Sequence, residues 1–515
     1  MGTSHQVQEP TGGFSRRKFI SGVGATAAGA VAGPAIAGHG PAQAATPSDR
    51  FGRMFPNLPP FIAADSRSRA ALTDMGKRGG LLDARDPLNE GPVRLITNPE
   101  LSPRNRDNPF HTAGTTFFGQ FLDHDMTFDT TSRLAVPTPP ESTPNTRTPA
   151  LDLDSVYGGG PVASPSLYES DRIKLRIESG GQFEDLPRTA NGTAIIADPR
   201  NDENMIIAGL QAAMILAHNR AVDHLRGQGV PTNQLFGQAR QLVTWHYQWI
   251  IVHEFLPQVA GFGVTQDILA HGRRFYRPEP GPASIPVEFQ GAAYRFGHSM
   301  VRPSYRANLA GNPDGTAFFG FIFDPAGEGQ ADPVDLRGGR RARRRFIDWQ
   351  TFFDFGDGQV KPNKRIDRSI STALFNLPLG AIASGDPPTS LPQRNLLRHL
   401  TWSLPSGQRI ATSMGWTSLT LDELAHYGLG LEHNTPLWYY LLAEAELIGD
   451  GIVLGPTGAR LIGEVFIGLL QLDSRSYLRA APANWRPTLP AQRPGSFKMT
   501  DLLRWARVDP ASRAQ

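Results

Sequence analysis

The sequence predicts a mainly α fold, one large domain with long loops and little β structure, and three observations lead there. Several stretches repeat apolar residues every three or four positions, the spacing of a helix with one buried face. Alternation of apolar and polar residues, the mark of a half-buried strand, is scarce. No internal repeat or clear linker divides the 515 residues, although length alone gives a prior of about three domains.

Composition narrows the functional classes. Hydrophobic residues make up 39% and charged residues 19%, an ordinary globular balance. The formal charge is +3, most of it from Arg16, Arg17 and Lys18 set against Glu9 in the first 44 residues, so nothing favours nucleic-acid binding. Cysteine is absent, which excludes disulfides, thiolate metal sites and cysteine nucleophiles. Any metal or cofactor ligand must come from His, carboxylates, Met, Tyr or carbonyl groups.

The N-terminus reads as an address. Ser15-Arg16-Arg17-Lys18-Phe19-Ile20 is a twin-arginine pattern, followed by a weakly apolar Gly/Ala run and by Ala42-Gln43-Ala44, a small-residue cleavage site. The expectation is a twin-arginine signal peptide over residues 1–44, a mature body over 45–515, and a periplasmic or extracellular location. No later run reaches the roughly 18 apolar residues of a bilayer span, so no stable membrane insertion is expected. Residues 45–110, rich in Pro, Arg and Asn, read as an extended arm.

Thr115 to Phe128 is the first strong helix. Positions three and four apart are neighbours on a helix, so Gln120, Asp123 and His124 share a face, while Asp125 turns about 100° away from His124. Taken alone, a cap or a satisfied buried polar group explains these residues equally well. Farther on, Thr148 to Gly158 places Asp152 and Asp154 at alternate loop positions beside a Thr hydroxyl, an oxygen-rich set suited to calcium, though a plain Asp-capped turn fits too.

Asp198 to Glu203 reads as a helix opening with acids in its first turn. Glu203 is ordinary there. Arg200 is not, because its charge gains nothing from that end of the dipole and requires another partner. Residues 235–256 form a long helix expected to end at Pro257; His253-Glu254 resembles half of a zinc-protease motif, but Pro257 stands where the second His belongs. Phe289 to Val301 reads as helical, with Gly297 clearing room beside His298 for a planar ligand and Arg295 one turn back. The six arginines of Arg337 to Arg345 read as a solvated loop. Further helices are expected from Leu391 to Arg398, from Thr435-Pro436 with Thr435 as cap, and from Gly455-Pro456, where Leu461, Val465 and Leu469 form a core stripe.

Two separate histidines, arginines and carboxylates near them, a calcium-like loop and no thiol are the parts a porphyrin uses. The chain resembles the animal-type haem peroxidases of the peroxidase-cyclooxygenase superfamily, in the form of a bacterial secreted member. The motifs that carry the resemblance, in order, are Gly119 to Asp125 (GQFLDHD), Leu151 to Gly158 (LDLDSVYG), Arg200-x-x-Glu203 with Ala217 to Arg220 (AHNR), Arg295 to His298 (RFGH) and Arg394 to Arg398 (RNLLR).

The resemblance implies one haem-peroxidase domain with haem held between a distal and a proximal helix. His124 is similar to the distal His, Gln120 to the distal amide and Arg200 to the distal Arg. His298 matches the proximal iron ligand, with Asn395 accepting from its other ring nitrogen, and Arg295 and Arg398 match propionate-binding positions. Asp123 and Glu203 match the carboxylates that form ester bonds to haem, so the cofactor is haem b or ester-linked haem. Asp125, Thr148, the carbonyl of Ala150, Asp152 and Asp154 match a calcium site. The implied partners are hydrogen peroxide and a small reductant: iodide, bromide, thiocyanate, or a phenolic or organic donor. Asn204 stands where some family members carry a Met that adds a sulfonium link to haem, so efficient chloride oxidation is not expected.

Two rivals remain at this level. Fatty-acid dioxygenases of the cyclooxygenase kind place a Tyr three residues before the proximal His, where this chain has Arg295, with Tyr294 one residue further back. A haem-containing adhesion or matrix protein is the other, although no Arg-Gly-Asp motif is present.

Overall fold

The computed structural model describes residues 49–515 except 279–281, 383 and 425–429. The signal segment expected over residues 1–44 lies outside the described residues. The main helices are α1 (Ser66–Met75), α2 (Gly114–Met126), α3 (Met205–Gly227), α4 (Thr232–Ile250), α5 (Leu391–Thr401), α6 (Leu437–Gly449) and α7 (Pro456–Leu472). Among the described residues, strands pair only in twos, all antiparallel: Asp107–Thr112 with Pro362–Lys364, Glu178–Ser179 with Glu184–Asp185, and Ser304–Arg306 with Phe319–Phe321. The body is mainly α with long connections, in line with the sequence reading.

α2 and α4 both pack on α3, and α6 packs on α7. Leu461, Val465 and Leu469 of α7 are fully buried core residues. Phe466 of the same helix stands 5.8 Å from Phe255 and 5.2 Å from Tyr294, joining the core to the segment that carries His298. Gly119 permits the close approach of α2 to this cluster: a Cβ there would lie 3.2 Å from the Phe255 ring and 3.7 Å from Tyr294 Oη.

Several local expectations are corrected. α3 begins at Met205, not at Asp198; Asn204 is its N-cap, accepting from Ile206 N at 3.1 Å and Ile207 N at 3.0 Å, while Asp198 caps a separate 3-10 turn, Pro199–Asp202. The helix of residues 235–256 does not stop at Pro257. Its last turn widens into a π-turn, Ile251–Phe255, and Pro257 sits in the first turn of the helix Leu256–Ala260, where its missing N–H costs no ladder bond. The Phe289–Val301 segment is a short α-helix, Val287–Gly291, followed by a 3-10 run, Ala293–Met300. Thr435 does not cap α6: its hydroxyl donates back to Leu431 O at 3.0 Å.

α3 is long and apolar enough to cross a bilayer, which no segment was expected to be, but 83% of its most apolar stretch is buried within the protein, as in a core helix. The arginine-rich segment is likewise not a free loop. Arg345 is buried and donates to Pro333 O at 2.6 Å and Asp335 O at 2.9 Å; Arg341 donates to Met205 O at 3.1 Å; Arg337 pairs with buried Asp335 at 2.8 Å; Arg344 pairs with Asp332 at 3.1 Å. Of the six, Arg340 and Arg343 are exposed. The partners are the nearby acids Asp332 and Asp335 and backbone carbonyl groups, which a charge run alone does not reveal.

Candidate functional site

α2 is apolar enough to be a core helix, and every one of its residues is buried except Gln120 and Asp123. These two are the positions the helical register turns to the same side as His124. The segment after Asp198 wraps that side.

Each polar side chain of residues 200–204 that points inward grips a group of α2 or its end. Arg200 is braced from behind by fully buried Asp198, Nε to Oδ1 at 3.0 Å and Nη2 to Oδ2 at 2.8 Å. Its Nη2 also donates to Thr127 O at 2.6 Å and His124 O at 3.2 Å, and its plane lies 4.2 Å from the centroid of the Phe128 ring. That leaves Nη1 toward Asp123 Oδ2 at 3.6 Å. The partner that Arg200 required is therefore Asp198, with Asp123 secondary.

Asn204 orients Gln120. Because the Asn204 Oδ1 is taken by two backbone N–H groups, its NH2 must face Gln120 Oε1, 3.3 Å away, and the Gln120 NH2 then donates to Glu203 Oε1 at 3.1 Å. Burial raises the Glu203 pKa to about 7, with Arg200 pulling the other way. His124 is buried and neutral: burial, then the charge of Arg200, pushes its pKa down to about 4. Its Nδ1 lies 2.8 Å from Asn201 Oδ1.

On the other side, Tyr294, Arg295 and His298 lie on the 3-10 run that α7 supports. Tyr294 Oη donates to Gly119 O at 2.9 Å, tying this run to α2. Arg295 donates from Nη1 to Asn395 Oδ1 at 3.1 Å and from Nε to Gln290 O at 2.9 Å. The expected direction of the Asn395–His298 bond is corrected by that contact. Since a guanidinium only donates, it claims Oδ1, and the amide presents Nδ2 to His298 Nδ1 at 2.8 Å. Asn395 donates here rather than accepts. Burial and then Arg295 push the His298 pKa down to about 3, so the ring is neutral. Arg398 pairs with Asp129 Oδ2 at 3.0 Å.

Two observations test whether this set fits a porphyrin. A Cβ on Gly297 would meet no atom within 4 Å, so the backbone beside His298 faces open space. Arg295 finds no carboxylate hydrogen-bond partner among the described residues, and its pKa falls to about 10 through burial and then repulsion by Arg398. An anionic group beside Arg295 would supply the carboxylate partner it lacks, while Arg398 already has Asp129. The residues present fit a flat ligand bearing carboxylates, with His298 as the donor to a metal.

Asp125, turned from this face, meets Asp152 and Asp154 with carboxylate oxygens all within 4.8 Å. Asp152 Oδ1 and Asp154 Oδ1 are buried without hydrogen-bond partners, and burial followed by the other acids pushes Asp125 well above the usual carboxylate range. A cation answers all three. Thr148 lies at this cluster, its N–H donating to Asp154 Oδ2 at 2.8 Å, and Ala150 is buried beside it. His218, part of the AHNR motif, is a packing residue instead: Tyr157 Oη is 3.2 Å from its Nδ1 and Ile173 O 2.9 Å from its Nε2.

The sequence reading missed Asp198, Asn201 and Asp129. Asp198 looked like a helix-opening acid; the clue was its position two residues before an arginine in need of a counter-charge. For Asn201 and Asp129 no local pattern distinguishes them from any loop polar residue.

Residues 132–317 match the protein family described as animal haem peroxidase. Among curated proteins, the chain is 22% identical over 380 residues to chorion peroxidase of Aedes aegypti (68% of this chain, 44% of that one) and 30% identical over 367 residues to chorion peroxidase of Drosophila melanogaster (64% and 41%). Heme peroxidase 2 of Caenorhabditis elegans is 27% identical over 366 residues (64% and 47%). The chain thus spans less than half the length of these relatives. Among solved structures, its fold is similar to peroxidase A of Dictyostelium discoideum (TM-score 0.57, 16% identity, 84% of this chain and 88% of that one). It is also similar to the fatty acid alpha-dioxygenase of Arabidopsis thaliana (TM-score 0.54, 15% identity, 90% and 76%).

Proposed function

We propose that this chain is a haem peroxidase of the animal haem peroxidase family, supported by the match of residues 132–317 to that family and by the likeness to the chorion peroxidases, and that it reduces hydrogen peroxide and oxidises small anions or phenolic donors. The observation that carries this reading is the convergence on one side of α2 of a neutral buried imidazole, a braced guanidinium and an oriented amide. Haem, when bound, supplies the redox-active iron that accepts the oxidising equivalents of peroxide.

The protein's own residues do the rest. Neutral His124 takes a proton from peroxide and returns it to the departing oxygen, which leaves as water. Arg200, prevented from swinging by Asp198 and two carbonyl groups, holds its positive charge where the O–O bond polarises. Gln120, its amide fixed by Asn204 and Glu203, offers a hydrogen bond to water or a small anion. His298 would hold the iron, Arg295 and Arg398 the propionates, and Asp123 and Glu203 would be the carboxylates that form ester links. Asp125, Asp152 and Asp154, with Thr148 and Ala150, would hold calcium, pinning the helix turn next to His124. Iodide, bromide, thiocyanate and phenols are the proposed reductants: Asn204 serves as helix cap and Gln120 anchor and offers no thioether. Export by the twin-arginine route is proposed from the N-terminal motif.

The test is direct. Protein produced with haem supply should show a haem absorption spectrum and peroxide-dependent oxidation of guaiacol, iodide and bromide, and His124→Ala should abolish turnover while retaining haem. A protein that takes up no haem, or a His124→Ala variant with full turnover, sinks the reading. The likeness to an alpha-dioxygenase fold favours one alternative, fatty-acid oxygenation. Oxygen uptake with a fatty acid and no added peroxide would support it; Tyr294, whose phenol is engaged by Gly119 O, argues for a bracing role instead.

A further inference from the structure

Asn201 has no part in the resemblance that assigned the distal residues, yet it is fully buried and the only side chain hydrogen-bonded to the His124 ring among the described residues. Its two amide ends have different partners. Oδ1 lies 2.8 Å from His124 Nδ1, and Nδ2 donates to Gln211 Oε1, also at 2.8 Å. Gln211 is itself buried, two turns into α3, the helix that Asn204 caps. A neutral imidazole carries one proton on one of two nitrogens, and the hydrogen bond made by the far nitrogen decides which. With Oδ1 facing it, Nδ1 must hold the proton, and Nε2 is left with its lone pair.

We propose that Asn201, backed by Gln211, is the positioning residue that fixes His124 as the Nδ1–H tautomer and keeps Nε2 open to accept a proton. The inference deepens the peroxidase reading and rests on His124 being its proton acceptor. It also accounts for the placement of Asn201 between Arg200 and the pair Glu203 and Asn204. The same short stretch that aims the guanidinium and the Gln120 amide also sets the protonation pattern of the imidazole. Turning both amides over would put the proton on Nε2 and point a donor, not an acceptor, at the peroxide, so the two arrangements have opposite chemical consequences.

The experiment is 15N NMR of histidine-labelled, haem-loaded protein, reduced and bound to carbon monoxide so that it is diamagnetic, with His124 identified by its loss in His124→Gln. The expected spectrum shows protonated Nδ1 and unprotonated Nε2. Asn201→Leu should mix the tautomers and slow the reaction with peroxide about 10–100-fold, as loss of an orienting partner does at a comparable histidine. Asn201→Asp, which can only accept, should keep the proton on Nδ1 and restore most of the rate, a rescue that mere packing does not give. A protonated Nε2 in the unmodified protein, or an Asn201→Leu spectrum unchanged at His124, overturns the proposal. If the chain takes up no haem the peroxidase reading fails separately, and the spectrum of the protein as purified still reports the tautomer.

Discussion

Arg295 Nη1 donates to Asn395 Oδ1 at 3.1 Å, and this contact decides which end of the Asn395 amide meets His298. With Nδ2 toward the ring, His298 Nδ1 accepts and Nε2 carries the proton. A metal on Nε2 would require the opposite arrangement, so if His298 holds the iron as proposed, haem uptake should reverse the amide and release Arg295 toward an anion. Asn395→Asp, able to accept from both Arg295 and Nδ1–H, should bind haem at least as well and lower the iron reduction potential. Asn395→Leu should weaken haem binding about 10–100-fold. Haem titration and spectroelectrochemistry would show this, and equal affinity in all three proteins would contradict it.

Removal of calcium should destabilise the protein. A cation present at about 100 times its Kd adds about 2.7 kcal/mol, and Asp152 and Asp154 each have a buried oxygen without a hydrogen bond to gain from it, that of Asp154 facing only Arg147 at 3.5 Å. Thermal unfolding in calcium should exceed that in chelator, with the difference shrinking in Asp154→Asn. Identical melting curves would mean that the three acids are a structural cluster only.

Within the arginine-rich segment the six positions should behave in two groups. Arg345→Ala strips buried carbonyl groups of their donor and should cost about 3 kcal/mol, whereas Arg340→Ala and Arg343→Ala should stay within about 0.5 kcal/mol. Urea unfolding separates the two cases. A uniform response across the segment would restore the solvated-loop picture.

Glu254, on the π-turn, accepts from Met499 N at 2.8 Å, and burial raises its pKa to about 7. A carboxyl with a raised pKa in the folded state binds its proton more tightly there than when unfolded. Its contribution is therefore fullest below the unfolded pKa and is lost as pH rises through about 7. The loss is about 1–3 kcal/mol, the lower figure reflecting its remaining solvent contact. Stability measured by chemical unfolding should fall between pH 5 and 8, and Glu254→Gln should flatten that fall. An unaltered slope would assign the pH dependence to other groups.

The helices were legible because burial imposes periodicity: α2, α5 and α7 follow the apolar spacing. Their ends were less so. Asn204 could be recognised as a cap only once Asp198 was seen to serve a separate turn, and Pro257 appeared as a stop because nothing in one-dimensional spacing announces a π-turn. At the site, residues on a single helix, such as Gln120, Asp123 and His124, could be grouped from register. Partners supplied by distant loops could not: Asp129 reaches Arg398 across 269 positions, and Asp185 reaches Arg341 of the arginine-rich segment from another part of the chain. The direction of the Asn395 amide depended on a third residue, Arg295, which pairwise reasoning omits.

Within the five-residue stretch 200–204, Arg200, Asn201, Glu203 and Asn204 reach the His124 ring and carbonyl, the Thr127 carbonyl and the Gln120 amide, while Asp202 faces Arg188. The spacing along the chain thus acts as a ruler laid against α2. A side-chain replacement disturbs one mark on it, but inserting or deleting a single residue between Arg200 and Asn204 shifts every mark after it. Length in this stretch is consequently a harder constraint than composition, and energies of paired substitutions within it should fail to add because each anchor sets the reach of the next.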